Sequence, residues 1–468
     1  MSTSASALLR QLGFVSATAL VVSNMVGSGI FATTGFLAGD LGSAPLILAV
    51  WLVGAVFAFA GALSYSELGI NFPSSGGEYV YLTEAYGPVW GFMSGWVSFF
   101  AGFSAPIAAA ALAFAHYIGF FFPAFANPFF TVGNGAITLR LGWSEVLAAA
   151  LIAFFTVINC FGVRPVARLQ NALTATKLLV LVLFIGLGFL IGNGSMNHFS
   201  QHAVRTSINS LPVQFVISLL WVMVGYSGWN AATYVAEEVE HPRRTLPLAI
   251  AAGTTIVTAL YLGLNLIFIY ATPIEQMKGQ VAVGSQAAVN LFGPRIADTF
   301  AVLMAISITS TVNAMITIGP RVYYAMAKNG AFFASAARVH PRYRTPVIAI
   351  VAQGACAILM TLTPFPDLIL YIGFSLTVFT ALSAASLFLF RRRSHWQKLP
   401  ALNFAWPAIP AAYVIASAAM VIYGLIWQPR ASLTAILTVA MGALMYQFTS
   451  ARAKPETSHL EQHPPSTR

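Results

Sequence analysis

The chain has 468 residues, of which 58% are hydrophobic and only 8% are charged. Typical soluble proteins are roughly 25% charged, so this composition excludes a water-soluble globular fold and predicts a polytopic membrane protein. The net charge of +10 does not indicate nucleic-acid binding, because the basic residues collect in short segments between apolar runs. The two cysteines, Cys160 and Cys356, lie within apolar runs, so we expect no disulfide framework, metal site or cofactor.

Twelve apolar runs are each long enough to cross a bilayer, which takes about 20 helical residues. We predict them at 12–36, 44–66, 88–112, 141–162, 168–192, 211–236, 247–271, 297–325, 346–364, 367–390, 406–427 and 431–450. If the N-terminus is cytoplasmic, most arginines and lysines fall in cytoplasmic segments, as the positive-inside rule requires. The sequence therefore predicts an integral plasma (inner) membrane protein with both termini in the cytoplasm.

The first run is interrupted near its middle, where residues 22–31 read Val-Ser-Asn-Met-Val-Gly-Ser-Gly-Ile-Phe. Glycine favours a break here, and non-helical backbone at membrane depth is tolerated only where it is buried in protein or lines a polar cavity. The amide end of one half-helix favours an anion, and the carbonyl end of the other favours a cation. An amino acid carries both charges and is therefore a suitable ligand for such a break.

A second interruption lies in the sixth run, where residues 224–230 read Val-Gly-Tyr-Ser-Gly-Trp-Asn. It occurs about as far into its run as the first does. An odd number of spans separates the two, so the second broken helix enters the membrane from the opposite face. This pattern predicts an inverted repeat, with the site between the two broken helices. The alternative is that the glycines serve only as close-packing points between helices.

This repeat divides the chain into six segments. They are a cytoplasmic N-terminal tail at 1–11, the first repeat at 12–192, an outer loop at 193–210, the second repeat at 211–391, an appended pair of spans at 392–450 and a cytoplasmic tail at 451–468. The last segment is rich in proline and has no apolar pattern, so we expect it to be disordered. The run Arg391, Arg392 and Arg393 is predicted to be a stop signal at the membrane face and little else.

Further motifs follow one another along the chain. Residues 73–82 read Pro-Ser-Ser-Gly-Gly-Glu-Tyr-Val-Tyr-Leu, residues 237–247 read Glu-Glu-Val-Glu-His-Pro-Arg-Arg-Thr-Leu-Pro, and residues 319–330 begin Gly-Pro-Arg-Val-Tyr-Tyr. With the two interruptions, these motifs resemble the amino acid/polyamine/organocation permeases, and most of all the L-type amino-acid transporters. The resemblance implies an all-α, LeuT-like fold of twelve transmembrane helices, in which two inverted repeats of five are followed by two more and helices one and six are broken.

The resemblance also implies transport by alternating access and a set of groups that bind the substrate. They are Ser23, Val26, Gly27, Ser28, Gly29, Val224, Gly225, Tyr226, Trp229 and Asn230. In the family pattern the backbone amides of residues 27–29 bind the carboxylate. The carbonyls of Ser23 and Val26, and of Val224 and Gly225, bind the α-amino group.

The last three residues of that set would shape the side-chain pocket or its gate. Ordinary helix packing is the alternative for the two aromatic ones, Tyr226 and Trp229. The animal L-type members resemble Phe-Ala-Tyr-Gly-Gly-Trp at this point, whereas this chain has Val224 in place of the gating phenylalanine. The gate and the side-chain selectivity are therefore expected to differ from theirs.

Lys177 lies inside the fifth predicted span, about nine residues or roughly 13 Å beyond Arg168. An ionisable group at that depth usually faces the bundle interior and is a functional-site hypothesis by default. In the resembled family a lysine here occupies the place that a sodium ion fills in sodium-driven relatives, where it links spans one, five and eight. Sodium independence follows as an expectation. The alternative is a purely structural cation bound to span-one carbonyls.

Polar and charged groups elsewhere give two weaker predictions. Glu237, Glu238, Arg243 and Arg244 are expected to form charge pairs that help to close a cytoplasmic gate, with a solvated loop as the alternative. Most hydroxyl and amide groups of the eighth span are expected to satisfy their own helix or to join helices, and not to line the path. These groups belong to Ser307, Thr309, Ser310, Thr311 and Asn313.

The favoured function is a sodium-independent secondary transporter of neutral L-amino acids, either an exchanger or proton-coupled. Its expected partners are an amino acid as the small-molecule substrate and the lipid bilayer. No acidic residue is predicted within a core span to pair with a cationic substrate, so an amine or polyamine permease is the second choice. A membrane enzyme would need converging catalytic groups, and a sensor would need a signalling domain. Animal L-type members bind a heavy chain through a disulfide after span three, but residues 123–140 contain no cysteine, so we expect no such partner.

Overall fold

The computed structural model describes residues 10–119, 121–133 and 138–450. The predicted tail at 451–468, and all but the end of the predicted N-terminal tail, lie outside the described residues. The described part is mostly helical. It also contains one antiparallel pair of strands, β1 (Phe130–Val132) and β2 (Leu139–Leu141), with Phe130 opposite Leu141.

The described helices are numbered in chain order. Those of the first half are α1 (Phe14–Met25), α2 (Ser28–Leu41), α3 (Ala44–Asn71), α4 (Glu78–Tyr86), α5 (Pro88–Val97), α6 (Ala105–Gly119), α7 (Trp143–Asn159), α8 (Val163–Ile191), α9 (Leu211–Tyr226) and α10 (Ala231–Tyr234). Those of the second half are α11 (Pro242–Ala271), α12 (Ile274–Met277), α13 (Val283–Phe292), α14 (Pro294–Ile318), α15 (Pro320–Lys328), α16 (Val347–Met360), α17 (Phe365–Phe390), α18 (Pro400–Phe404), α19 (Ala408–Trp427) and α20 (Pro429–Ser450). A π-helical segment, Ser98–Ser104, joins α5 to α6.

Within the described ranges, 8 helical stretches are long and apolar enough to cross a membrane. They are Phe14–Leu41, Ala44–Asn71, Pro88–Gly119, Pro165–Ile191, Pro242–Ala271, Pro294–Lys328, Phe365–Phe390 and Ala408–Trp427. The helices α7, α9 and α16 are shorter but also apolar. Each predicted apolar run coincides with a helix or with consecutive helices. The helical, polytopic character that the composition predicts is therefore confirmed.

Both interruptions of the helices occur at glycines. Between α1 and α2, Gly27 has an extended backbone, with φ −126° and ψ −151°. After α9, residues 227–230 form a turn in which Gly228 has a φ of 106°. L side chains rarely adopt that φ, so the turn requires glycine. Each interruption therefore separates two half-helices at a buried position, as the sequence indicates.

Two Gly-Pro pairs begin long helices in the same way. After α4, Gly87 has φ 99° and ψ 172°, and Pro88 begins α5. After α13, Gly293 has φ 80° and ψ 169°, and Pro294 begins α14. A glycine with positive φ turns the chain. Proline suits the first position of a helix because the N–H that it lacks would have no acceptor within the helix there. The order of short helix, Gly-Pro and long helix thus occurs once in each half of the chain.

The region after the second predicted span differs from the prediction. Helix α3 continues to Asn71, so Glu67 lies within a helix and is fully buried. The expectation that no acidic residue lies in a span is therefore wrong for Glu67. The stretch expected to be a loop contains α4, in which Glu78 is also buried. Buried carboxylates need hydrogen-bond or charge partners, and here those partners come from distant segments of the chain.

Arg391 supplies the charge that Glu67 requires, and the prediction that it is only a stop signal is wrong. Its guanidinium donates to both carboxylate oxygens of Glu67, with Nη2 2.6 Å from Oε2 and Nε 2.7 Å from Oε1. The Trp396 indole and the Leu399 amide also donate to this carboxylate, at 2.8 Å and 2.9 Å. The guanidinium carbon lies 4.0 Å from the ring centroid of Trp406. This cluster joins α3 to the segment after α17.

We expect Arg391→Ala to lower the free energy of unfolding by about 3–5 kcal/mol, because it leaves the Glu67 carboxylate buried without its cation. Denaturant unfolding of the purified protein in detergent measures this loss. Arg393→Ala is the matched control, since Arg393 pairs with Glu84 at 3.6 Å and the two side chains are 49% and 48% exposed. For that pair we expect about 0–1 kcal/mol. Equal losses of unfolding free energy in the two variants would contradict the assignment of Arg391 as the partner of the buried Glu67 carboxylate.

Candidate functional site

The two helix interruptions lie directly against each other. A Cβ atom added to Gly29 would lie 2.4 Å from the Cα of Gly225 and 3.1 Å from its nitrogen. A Cβ added to Gly225 would in turn lie 3.0 Å from the ring of Trp51. Since neither position has room for a side chain, glycine at both allows the start of α2 to contact the end of α9.

The main-chain amides at the first interruption are not equivalent. The Gly27 amide already donates to the Met25 carbonyl at 2.9 Å. Helix α2 begins at Ser28 and has no side-chain cap. The first N–H groups of a helix have no acceptor within it. The first turn of α2, which includes Gly29, is therefore the part of this interruption that can bind an anion.

Lys177 is fully buried, and its ammonium lies at the carbonyl end of α1. The Nζ atom donates to the Val26 carbonyl at 2.5 Å, to the Thr311 hydroxyl at 2.8 Å and to the Ser23 carbonyl at 3.4 Å. The Thr311 hydroxyl donates its own proton to Val26 O at 2.7 Å, which leaves its lone pairs free to accept from lysine. Oxygens from α1 and α14 thus satisfy all three N–H groups of an ammonium carried by α8.

Tyr261 of α11 joins the carbonyl ends of α1 and α9. Its hydroxyl lies 2.6 Å from the Met25 carbonyl and 2.8 Å from the Gly225 carbonyl. A phenol has one proton, so the two carbonyls share a single donor. The ring packs against Trp51 and Tyr226, with centroid distances of 5.2 Å and 5.0 Å. Sequence analysis missed this residue because nothing in its apolar run distinguishes it.

The second interruption separates its predicted pocket residues into two groups. Trp229 and Asn230 line an internal cavity. Tyr226 is fully buried and packs between aromatic rings. The Val224 carbonyl is occupied, since it accepts from the Ser227 amide at 3.1 Å and from the Ser227 hydroxyl at 2.7 Å. The geometry of Tyr226 therefore agrees with ordinary helix packing and not with a role in lining the pocket.

The internal cavity lies beside the second interruption. Its walls include Asn24 of α1, residues 227–230, Thr377 of α17 and Ser417 of α19. The space between its walls is about 660 Å³ when the open solvent at its mouth is counted, but only about 50 Å³ of it can hold water-sized spheres, so the cavity is nearly closed in this structure. No charged side chain of the described residues lines it. Three buried atoms of residues in its wall, Asn24 Oδ1, Trp229 Nε1 and Ser417 Oγ, have no hydrogen-bond partner among the described residues.

A buried carboxylate lies behind this cavity wall. Glu78 accepts hydrogen bonds from Tyr65 at 2.9 Å, from Asn230 at 2.7 Å and from the Tyr234 hydroxyl. Burial raises the pKa of the Glu78 carboxyl, and the hydrogen bond from Tyr234, followed by weaker ones, opposes that rise. Asn230 and Tyr234 also line the cavity. Glu78 therefore fixes two wall residues without contributing its own charge to the wall.

The charge pair near the predicted cytoplasmic gate has a different partner from the one expected. Glu238 pairs with Arg321 of α15, with Oε1 2.8 Å from Nε, and both side chains are buried. Arg243 and Arg244 are exposed at the start of α11. Among the described residues, none of the ion pairs joins either of them to Glu237 or Glu238. The prediction missed Arg321 because the motif that contains it follows a different helix.

The comparisons with known proteins agree with this architecture. A profile of the family described as "Amino acid permease" matches residues 12–448. The chain belongs to this family. Relatives of the permease include the serine/threonine exchanger SteT of Bacillus subtilis, which is 30% identical over 422 residues, or 89% of this chain and 91% of the relative. The large neutral amino acids transporter small subunit 2 of Rattus norvegicus is 31% identical over 429 residues, or 90% of this chain and 75% of the relative.

A third relative of the permease is the Asc-type amino acid transporter 1 of Homo sapiens, 29% identical over 467 residues, or 97% of this chain and 85% of the relative. The predicted resemblance to the L-type transporters of the superfamily is therefore confirmed. Within the described ranges, no group of three or more His, Cys, Asp or Glu side chains could hold a metal ion. The groups that meet at the two interruptions are carbonyls, amides, hydroxyls and one ammonium.

We expect Gly29→Ala to destabilise the permease by about 1–3 kcal/mol, because the new Cβ meets the backbone of Gly225 and overpacking has that cost. Gly186→Ala is the matched control, since a Cβ at Gly186 of α8 meets nothing within 4 Å. Its expected effect is neutral or slightly stabilising. Denaturant unfolding in detergent compares the two variants, and an equally mild effect at both positions would exclude the close contact.

We expect Lys177→Met to abolish amino-acid transport, because methionine has a similar shape but leaves the Ser23 carbonyl without its donor and removes the ammonium that the described residues place at the interruption. Lys278→Met is the control, since Lys278 forms its ion pair with Glu275, whose side chain is 67% exposed. Uptake into liposomes, normalised to folded protein, measures both. Full uptake by the Lys177 variant would remove this residue from the mechanism.

Proposed function

We propose that this permease is a sodium-independent secondary transporter of neutral L-amino acids that works by alternating access, as an exchanger or with proton coupling. The observation that carries the proposal is the contact between the two interrupted helices at Gly29 and Gly225. There the amide end of α2 meets the carbonyl end of α9. A zwitterion matches both ends, with its carboxylate on the amides of residues 27–29 and its ammonium near the carbonyls.

The amide groups of Ser28 and Gly29 are the preferred carboxylate ligands in this proposal, because the Gly27 amide is engaged with Met25 in this conformation. The carbonyls assigned to the α-amino group also have donors here: Lys177 at Ser23 and Val26, Ser227 at Val224, and Tyr261 at Gly225. The substrate ammonium would take over the Val224 and Gly225 carbonyls when Ser227 and Tyr261 release them.

Sodium independence rests on the position of the Lys177 ammonium. Oxygens of Ser23, Val26 and Thr311 converge on Nζ. Converging oxygens are also what a hard cation such as sodium requires. An ammonium that already fills this space leaves no room for a second cation and repels it. The fixed cation would therefore replace the coupling ion of sodium-driven relatives.

A neutral substrate is proposed because the cavity beside the second interruption has an uncharged lining. Glu78, the nearest acidic group described, is bound by Tyr65, Asn230 and Tyr234 behind the wall. A cationic side chain would therefore lack a counter-charge and lose its hydration. Two of the relatives have names that specify serine and threonine or large neutral amino acids, which supports the same class of substrate.

We also propose the twelve-span architecture of two inverted repeats, 12–192 and 211–391, followed by two spans in 392–450. The Gly87-Pro88 and Gly293-Pro294 turns support it, because they precede the third and eighth spans, which are equivalent under a repeat of five. The excess of basic residues in one set of loops supports an orientation with both termini in the cytoplasm, and we propose that the membrane is the plasma (inner) membrane.

The test is uptake of a panel of radiolabelled amino acids and amines into liposomes that contain the purified permease, in sodium-free buffer. Vesicles are either empty or preloaded with unlabelled amino acid, with and without an inward proton gradient. Neutral amino-acid uptake only into preloaded vesicles establishes exchange. Uptake into empty vesicles that requires the proton gradient establishes symport.

Two results would reject the proposal. A requirement for added sodium would exclude the role of Lys177 as a substitute for the ion. Uptake of amines without uptake of neutral amino acids, by protein that elutes as a single folded species, would replace this function with that of an amine permease. The Lys177→Met variant serves as the inactive control in each arm.

A further inference from the structure

Buried amide and hydroxyl side chains form a row of hydrogen bonds from Thr317 to Ser23. The main-chain carbonyls of these two end residues accept from Arg321 and Lys177. The three amide residues of the row, Asn159, Asn313 and Gln170, are here called the amide relay. The Asn159 amide donates to Asn313 Oδ1 at 2.9 Å, and the Asn313 amide donates to Gln170 Oε1 at 2.6 Å. All three side chains are buried. They belong to α7, α14 and α8, so the relay joins three helices.

One end of the relay reaches the Glu238–Arg321 ion pair. The Thr317 hydroxyl lies 2.7 Å from Asn159 Oδ1 and 2.8 Å from the Asn313 main-chain carbonyl, so its one proton is shared between two acceptors. The carbonyl of the same Thr317 accepts a hydrogen bond from the Arg321 guanidinium. The carbonyl of Glu238 accepts the Leu12 amide at 2.9 Å. The segment that carries Glu238 is therefore attached to the start of α1.

The other end of the relay reaches the broken helix itself. Gln170 donates to the Thr174 hydroxyl at 3.3 Å, and Thr174 lies 2.6 Å from the Ser23 hydroxyl. The Thr174 hydroxyl gives its one proton to the main-chain carbonyl of Gln170 at 2.7 Å. Ser23 must therefore be the donor in its contact with Thr174. The Ser23 carbonyl in turn accepts from Lys177. The relay thus ends at the residue that helps to bind the lysine.

The direction of the hydrogen bonds couples the members of the relay. Asn159 and Asn313 each accept through their carbonyl oxygen and donate through their amide nitrogen. If one amide rotates, its neighbour is left with donor facing donor or acceptor facing acceptor. Buried polar groups without partners are unfavourable. The relay therefore has few satisfied arrangements, and adjacent amides must change together.

We propose that the amide relay, with Asn313 at its centre, is a positioning element that makes the Glu238–Arg321 ion pair and the Ser23 contact open and close together. The inference rests on the proposed transport function. The Ser23 contact joins α8 to α1, and the ion pair joins α15, which directly follows α14, to the segment around Glu238. In the proposal, α1 and the segment around Glu238 move together. Opening one contact without the other would bend α1 between Leu12 and Ser23. The relay ensures that α1 moves as one unit during each transport cycle.

A double-mutant cycle tests this coupling. Ser23→Ala removes the hydroxyl at one end, and Glu238→Gln weakens the ion pair at the other while keeping its shape. The turnover rate and KM for exchange of one amino acid that the wild type transports are measured in liposomes for both single variants and the double variant. The same cycle is then repeated with Asn313→Leu, which has a similar volume and no hydrogen-bonding group. Thr309→Val, on the same helix, is the matched control because the Thr309 hydroxyl bonds only to its own helix at Ile306.

When Asn313 is unchanged, with or without Thr309→Val, we expect Ser23→Ala and Glu238→Gln to be coupled. The turnover rate of the double variant should then differ by about fivefold from the product of the two single effects. In the Asn313→Leu background we expect the coupling to disappear, so that the effects of Ser23→Ala and Glu238→Gln on turnover simply multiply. Asn313→Leu alone is expected to lower turnover with little change in KM, because Asn313 does not line the cavity. A merely structural role would lower the yield of folded protein and leave turnover per folded molecule unchanged.

Asn313→Ala gives a second background if the leucine variant does not fold, since alanine has no side-chain hydrogen-bonding group and cannot overpack the site. Multiplicative effects with Asn313 in place, or equal coupling in all backgrounds, would overturn the relay while the transport function stands. No uptake of any amino acid by the folded wild type would overturn the proposed function, and the role of the relay with it.

Discussion

The buried ammonium of Lys177 and the carbonyls of the interrupted helix depend on each other. A helix that stops at membrane depth leaves carbonyl groups without donors, and a buried charge without hydrogen bonds is unfavourable. The contacts of Nζ with the Ser23 and Val26 carbonyls remove both problems at once. Because Lys177 lies on α8 and its third acceptor, Thr311, on α14, the same contacts fix three helices around the site.

This arrangement determines which groups remain for a ligand. The carbonyls at the end of α1 and the Gly27 amide are occupied within the protein, and the Val224 and Gly225 carbonyls at the end of α9 accept from Ser227 and Tyr261. The first turn of α2 keeps amide groups that have no acceptor within their helix. The Gly29–Gly225 contact brings those two ends together. Tyr261 binds the Gly225 carbonyl through a single shared proton, so that carbonyl can exchange its donor. In the proposed function, the substrate side chain enters the cavity next to these ends.

The sequence predicted the features whose signals are local. Apolar runs of sufficient length identify the helices, and glycines within them identify both interruptions. The partners of Glu67, Glu238 and Asn313 could not be predicted, because each lies far away in the chain and any of several arginines or amides would satisfy the same chemistry. Helix α4 was missed for a related reason: a stretch containing Glu78 indicates a solvated loop until the hydroxyls and amide that bind it are known.

The covalent attachment of the Lys177 charge has a consequence for energetics. A sodium ion bound at this position would travel with the substrate, and the membrane potential would drive its entry with about 2.3 kcal/mol per charge for each 100 mV. Under the proposed function, the lysine charge stays with the protein and a neutral zwitterion carries no net charge across the membrane. In exchange mode the membrane voltage therefore does no work on the cycle. Such a carrier equalises the ratios of its substrates across the membrane and accumulates one only by releasing another.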